Sequence, residues 1–308
     1  MDDSQIEYLK KHIDKIVRPK VRRVICAYSD LLGFGACLDN LDWDIEHEER
    51  HHKTIKRLSI FVERAREIGG IKYTCFALND CLAINYDLPE EEPVLLPPLW
   101  DFLLFLGRTH ARLNYLDQNM GFPGVRTVWA AGKRLVDTAW IQGLSTEPRG
   151  QDISHPKGVI RITDTPDGPP GLKKKLKRIA TYTPREFQLN IAFSKAYALD
   201  EEGSAIRLRG PYLFVDESLL RILCYSFKGD SRTSKDCWGY EVIDVVEGDE
   251  RTITLRHEDG QASHDVYSQL TLRRIRARQK MRWGDTSTYR LMEIRGPSFL
   301  YNPEIIQL

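Results

Sequence analysis

Three observations predict an α+β fold for this chain of 308 residues. Short β-branched, apolar runs alternate with longer stretches of helical periodicity through the first two-thirds. Two of the short runs flank an Asn79-Asp80 turn, the signature of a β-hairpin. After Gly203 the pattern turns to closely spaced strands.

Each element follows from its own residues. Residues 3–18 read as an amphipathic helix stopped by Pro19. Residues 21–29 are a strand that ends in Asp30 and turns at Gly33 and Gly35. Residues 36–69 are polar and helical and stop at Gly69 and Gly70. Residues 71–78 and 81–86 form the hairpin. Residues 99–116 repeat apolar side chains at helical spacing, with Pro97 and Pro98 just ahead. Residues 124–132 are a further strand. Residues 133–185 are irregular and rich in Gly and Pro, and 187–199 are helical again. PYLFV (211–215), YEVIDVV (240–246) and RTITLRH (251–257) are strands, the last two joined by EGDE. The order β-α-β-β-α-β is the split βαβ, ferredoxin-like arrangement. Residues 1–225 are expected to form that domain, and residues 226–308 a β-rich extension packed on it.

Composition removes several classes of function. The 45 basic and 44 acidic residues nearly cancel, so no global field draws the chain to nucleic acid or a membrane surface. The six cysteines (26, 37, 75, 81, 224, 237) form no CxxC pair and no zinc spacing. The longest apolar stretch, 94–107, is broken by Pro97, Pro98 and Asp101 and is too short for a bilayer. The first residues hold no apolar signal core. A cytoplasmic protein with reduced thiols is expected, with no nucleic-acid or membrane partner. GxGxxG and GxxxxGK[ST] are absent. HEERH (47–51) matches the zincin pattern HExxH, but it sits in a wholly polar run. A zinc helix needs a buried apolar side to hold it rigid, so a solvated helix face is the better reading. The basic runs 171–179 and 272–282 read as solvated faces or triphosphate contacts.

Two acids carry the chemistry. Asp30 ends the apolar run of VICAYSDLLGFG (24–35), and Asp80 sits at the hairpin tip. An acid at a buried strand end needs something positive to meet it. Either residue alone is an ordinary turn former. On neighbouring strands, two such acids suit a pair of divalent cations roughly 3.5–4 Å apart, the arrangement for in-line displacement at phosphorus.

The order of these motifs resembles the class III nucleotide cyclases, the adenylate and guanylate cyclase family. That family carries Phe-x-Asp-Ile-x-Gly-Phe at the first strand end; here the stretch reads YSDLLGF, with Asp30, Gly33 and Phe34 in place. Its hairpin acid follows a glycine; here it follows Asn79. Its later helix carries Asn-x-Ala-x-Arg; here Asn190 and Ala192 match, Ser194 replaces the arginine, and Lys195 follows. In a helix Ser194 would lie within about 40° of the Asn190 face and Lys195 about 140° round. The resemblance implies two divalent cations, Mn²⁺ or Mg²⁺, held by Asp30, the backbone carbonyl of Leu31, and Asp80. It implies a phosphate-cradling turn at Gly33, Phe34 and Gly35, and a ribose contact at Asn190 with Ser194 or Lys195 beside it. It also implies a homodimer in which the acids of one subunit face the Asn-bearing helix of the other.

The base-reading positions depart from the purine enzymes. Four residues before Asp80 stands Phe76, and seven before Asn190 stands Thr183. The adenylate pair would be Lys and Asp, the guanylate pair Glu and Cys. A phenylalanine narrows the pocket and offers a stacking face; a threonine offers one donor and one acceptor. With YSDLLGFG, FALND and NIAFSKAY in one chain, the pattern looks like the pyrimidine cyclases of bacterial anti-phage defence. Those make cyclic UMP or cyclic CMP, which switches on a separately encoded effector. UTP is the expected substrate, with CTP open. A catalytically degenerate cyclase-fold module, favoured by the missing arginine, and a purine cyclase are the alternatives.

Overall fold

The computed structural model describes residues 20–39, 48–68, 73–88, 96–136, 189–203, 205, 208–225, 233–235, 239–257, 265–297 and 299–303. Two compact units divide the chain. The first, Met1–Lys20 with Val136–Gln188, lies outside the described residues except at its two junctions, and with it the expected helix at 3–18 and the basic run 171–179. The second, Val21–Leu135 with Leu189–Leu308, carries everything below.

The chain is a mixed α/β protein with one large sheet and few helices. The strands are β1 (Lys20–Leu31), β2 (Thr74–Leu78), β3 (Cys81–Asp87), β4 (Val125–Val136), β5 (Leu213–Asp216), β6 (Thr233–Lys235), β7 (Tyr240–Glu247), β8 (Glu250–His257), β9 (Asp265–Met281), β10 (Gly284–Gly296) and β11 (Phe299–Tyr301). They run in the order β2-β3-β1-β4-β5-β10-β9-β8-β7-β6, with β11 on β10. β1 and β3 are antiparallel from Val24↔Asp87 to Asp30↔Cys81, and β2 and β3 from Thr74↔Asn85 to Leu78↔Cys81. β4 and β5 are parallel, and β5 pairs antiparallel with β10. The sheet therefore runs across residue 225 without a break, and the C-terminal meander continues it edge to edge.

The helices are α1 (Phe34–Asp39), α2 (Glu48–Ile68), α3 (Leu96–Asn119), α4 (Ile191–Glu201) and α5 (Glu217–Tyr225). Strand alternation decides which covers which face. Ile25, Ala27 and Leu31 of β1 point one way and cluster with Leu82 and Ile84 of β3, Phe61 of α2, and Trp100, Phe102 and Leu103 of α3. Each such large apolar side chain stabilises the fold by about 1.5–3 kcal/mol on burial. Tyr28 and Asp30 point the other way, toward α4: the Tyr28 ring meets Phe193 edge-on at 6.1 Å and Tyr197 at 5.5 Å. Among the described residues no helix is long and apolar enough to cross a membrane.

Several boundaries differ from the sequence reading for local reasons. Within the helical stretch expected over 36–69 the described residues form α1, which starts earlier at Phe34, and α2; residues 40–47 lie outside the described residues. Pro97 and Pro98 fall inside the first turn of α3, where a missing N–H costs nothing. α4 begins at Ile191, because Asn190 has extended backbone (φ −101°, ψ 102°) and its side chain accepts from the Phe193 N–H as an N-cap; residues 187 and 188 of the expected helix lie outside the described residues.

Gly124, at the start of β4, has φ +100°, and a Cβ there would lie 2.5 Å from Asn114 Oδ1 and 2.7 Å from Pro211. Neither neighbour can yield cheaply, since Asn114 Oδ1 accepts from the Val125 N–H. Gly124→Ala is expected to cost at least ~2 kcal/mol, read as a lower urea midpoint. Gly35→Ala, with open space around its Cα, should stay within about 0.5 kcal/mol of the parent.

Candidate active site at the end of strands β1 and β3

The hairpin brings the two acids to one edge. Asp30 is the register partner of Cys81, the residue after Asp80, and the Leu31 N–H donates to the Asp80 carbonyl at 3.0 Å. Paired Cα atoms of neighbouring strands lie about 5 Å apart, so Asp30 and Asp80 are close neighbours. Asp30, Tyr28 and Cys81 share the α4 face by alternation.

Asp30 is half-buried, and among the described residues no hydrogen bond or ion pair reaches its carboxylate. Its pKa is pushed up to about 7, first by burial and then by the charges of Asp200 and Asp80, against the pull of Arg126 and Arg57. Burial also raises the pKa of Asp200, with Arg126 opposing and Asp80 adding to the rise. Arg126 of β4 ties Asp200 down: Nε donates to Asp200 Oδ1 at 2.5 Å, Nη2 to the Asp200 carbonyl at 2.8 Å, and Nη1 to the Leu208 carbonyl at 3.2 Å. Gly203 lets this guanidinium in, since a Cβ there would meet it at 2.6 Å. Cys81 Sγ donates to the Leu78 carbonyl at 3.0 Å, and burial raises its pKa.

Below the edge, on the α3 side, lies a buried polar layer. Ser29 Oγ and Thr127 Oγ1 are 2.9 Å apart, and His110 Nδ1 is 2.8 Å from the same Thr127 oxygen. Burial lowers the His110 pKa to about 3, so this imidazole is neutral at physiological pH. Arg57 and Asp117, both fully buried, pair beside it.

The remaining sequence-derived site residues divide. Phe76 shares the acid face, since it pairs with Ala83 and Ala83 with Tyr28, two residues back from Asp30. Gly33 turns with φ +67°, Phe34 is buried and Gly35 exposed, and α1 beyond them is only six residues long. Asn190 lies elsewhere. It is 1 % exposed, its Nδ2 donates to Asn85 Oδ1 at 2.8 Å, and Asn85 pairs with Cys26. Asn85 is four residues from Cys81, or about 13 Å along the strand. Gly132 makes that seat possible, because a Cβ there would lie 2.7 Å from the Ala192 nitrogen. Ser194 is exposed, with its Oγ on the Asn190 carbonyl at 3.1 Å. Lys195 Nζ donates to the Ala131 carbonyl at 3.2 Å, and burial lowers its pKa. Within one chain, then, α4 presents its last residues to Asp30 and its first residues to the far end of β3. Thr183 lies outside the described residues.

Among the described residues no group of three or more His, Cys, Asp or Glu side chains is placed to cage a metal. The carboxylates of Asp30 and Asp80 with the Leu31 backbone carbonyl, the Asp30 carboxylate having no hydrogen bond or ion pair among the described residues, fit a cation that takes one or two protein carboxylates and completes its shell with water and substrate phosphate.

No family model matches the chain, and no curated protein matches it. Among solved structures, the guanylyl cyclase Cya2 superposes with a TM-score of 0.42 at 12 % identity, covering 93 % of this chain and 100 % of that one. The likeness is loose, and the reading of the site rests on this chain's own residues.

Sequence reasoning missed Arg126, Asp200, Arg57 and Asp117. A signal existed for two of them. Arg57 stands four residues before Phe61 and Asp117 four after Leu113, each a charge on the apolar stripe of its helix. Opposite charges at two core positions call for a buried pair.

Asp30 sets a pH dependence. Its folded pKa lies above the usual carboxylate value, so its contribution to stability is complete below about pH 4 and is lost as pH rises through about 7. The thermal midpoint should fall over that window. Asp30→Asn should flatten the fall and be the more stable protein at pH 8. Millimolar Mn²⁺ should raise the midpoint of the wild type at pH 8 and leave Asp30→Asn unmoved. An identical pH profile in the two proteins would remove Asp30 as the origin.

Proposed function

We propose that this chain is a nucleotide cyclase of the class III type, acting on a pyrimidine nucleoside triphosphate. The observation that carries this reading is the convergence of Asp30 and Asp80 at one strand end, with no hydrogen bond or ion pair reaching the Asp30 carboxylate among the described residues. The strand order β2-β3-β1-β4, with α2 between β1 and β2 and α3 between β3 and β4, supports this reading, since it is the order that a split βαβ core would require.

On this reading the ribose 3′-oxygen attacks the α-phosphorus of UTP, or of CTP. The new O–P bond closes the 3′,5′-cyclic monophosphate as the α–β bridge breaks and pyrophosphate leaves. Asp30, Asp80 and the Leu31 carbonyl would hold divalent cations, Mn²⁺ or Mg²⁺, two ions with the nucleotide bound, and these would favour loss of the 3′-hydroxyl proton to water and neutralise triphosphate charge. The turn over 31–35 lies beside the phosphates. Phe76 offers the base a ring face and no polar group, which suits a small base. Asn190 and Lys195 are distant from the acids of their own chain, so their expected roles require a second chain. A homodimer would supply α4 to the partner's acid edge and make two equivalent sites. The product would serve as a second messenger, switching on a separate effector in a cytoplasmic anti-phage response.

A second reading, a nucleotide-binding module without turnover, is favoured by two observations. Ser194 stands where the family has arginine, and the Asn190 amide is engaged by Phe193 and Asn85. One experiment separates the readings: incubation of the purified protein with each ribonucleoside triphosphate and Mn²⁺, with products identified by mass. Cyclic UMP or cyclic CMP should form at least ~10²-fold faster than the purine products, because a mismatched base leaves buried polar groups unpaired. Asp30→Asn and Asp80→Asn should each abolish it. Phe76→Lys should lower pyrimidine turnover more than it raises ATP use. A purine cyclic product would overturn the base assignment, and no product from any triphosphate would leave the binding module.

Shared sites predict complementation. Ser194 is exposed on α4, so Ser194→Trp should fold normally yet block the partner's site. Mixed with Asp30→Asn and allowed to exchange subunits, it should recover about a quarter of wild-type turnover, since one site in four is then intact. No recovery after confirmed exchange would place the whole site within one chain.

A further inference from the structure

The backbone that presents Asp30 to the proposed cations is held by a closed ring of buried bonds. Arg57 of α2 is 0 % exposed. Its Nε and Nη2 donate to the two carboxylate oxygens of Asp117 on α3, at 2.7 and 2.9 Å, and Nη2 also donates to the Leu32 carbonyl at 2.7 Å. Asp117 Oδ2 accepts from the Gly124 N–H at 2.9 Å. The Gly124 carbonyl in turn accepts from the Leu32 N–H at 3.0 Å. The Phe122 ring lies 4.6 Å from the guanidinium and closes one side. Leu32 is thus pinned at both its N–H and its C=O, one residue beyond the Leu31 carbonyl and two beyond Asp30.

A buried ion pair is a poor device for stability alone, since an apolar pair of the same volume often serves as well or better. What an apolar pair cannot supply is direction. The planar guanidinium fork fixes three acceptors at once, on α3 and on the turn after β1. We propose that Arg57, seated by Asp117, is a positioning residue that sets the Leu31–Leu32 backbone so that Asp30 and the Leu31 carbonyl can share a divalent cation with Asp80. The inference rests on the reading of Asp30 and Asp80 as cation holders. Arg57 itself touches neither cation nor substrate.

The test uses the full chain and Mn²⁺ alone, with affinity read by calorimetry and folding by the thermal midpoint. The double variant Arg57→Met/Asp117→Asn leaves no unpaired buried charge and keeps an acceptor for the Gly124 N–H, but loses the bond to Leu32. It should keep a cooperative thermal transition yet bind Mn²⁺ about 10-fold more weakly or worse, the usual loss when the group behind a metal ligand is removed. Arg57→Lys keeps charge and bulk but not the fork; it should weaken Mn²⁺ in the same direction and serves as the test if the double variant does not fold. Wild-type affinity in either folded variant would overturn the positioning role. If the wild type bound no Mn²⁺, or Asp80→Asn bound it equally well, the cation reading of the acids would fail first, and the inference with it.

Discussion

The pairing of β1 with β3 is the constraint on which the candidate site depends. Seven consecutive register pairs, from Val24↔Asp87 to Asp30↔Cys81, fix where β1 stops relative to the hairpin tip. A slip of one residue would turn Asp30 into the α2–α3 core and bring Ser29 to the α4 face. The slip is prevented by the core itself. Ile25, Ala27 and Leu31 alternate with Tyr28 and Asp30, and the first set is packed against α2 and α3. Burial that stabilises the sheet thereby presents a carboxylate at its edge. The raised pKa of Asp30 is the electrostatic cost of that placement.

α4 adds a second constraint through its direction. Its first turn lies over Gly132, where the absence of a Cβ allows the backbone of Ala192 to approach. Its last turn is tied to Arg126 through Asp200. The helix is therefore laid along the sheet with its cap at one end and its C-terminal acid beside Asp30. Its outer side carries Ile191 and Tyr197, 48 % and 44 % exposed, with Ser194 between them. Three-residue spacing places these on one face, and on the proposed reading that face belongs against a second copy.

The legible part of the sequence was the part written in local pattern. The hairpin at Asn79-Asp80, the strand ending at Asp30 and the long apolar helix each follow from periodicity and turn chemistry within a dozen residues. What periodicity could not supply was where a helix lies once formed. A helix over 187–199 with Asn190 inside it sets Ser194 within about 40° of its face; as an N-cap with extended backbone Asn190 turns its amide inward to Asn85 instead. That preference comes from the capping bond to Phe193 and from a partner 105 residues away in sequence. The pairs Arg57–Asp117 and Arg126–Asp200 are likewise long-range, and only the former left a trace, as charges on apolar helix stripes. The continuation of the sheet through β5 and β10 depends on a pairing between residues 216 and 288 that no local pattern encodes.

The charges around the edge bear on how a cation pair would assemble there. Both nearby guanidiniums are already matched, Arg57 by Asp117 and Arg126 by Asp200. Neither can turn to Asp30 without leaving a buried carboxylate unpaired, which is strongly unfavourable. Asp30 and Asp80 are thus two carboxyl groups whose combined charge, once a cation displaces their protons, is the complement of one divalent cation. The other acid beside Asp30, Asp200, is already paired with Arg126, so among the described residues no unmatched protein charge remains to draw a second cation to this edge. Its counter-charge would come with the triphosphate, as is usual for magnesium bound jointly by protein and substrate phosphates. On the proposed reading, one cation occupies the edge in the free protein and the other enters with the nucleotide, so metal affinity measured without nucleotide reports the Asp30–Asp80 edge alone.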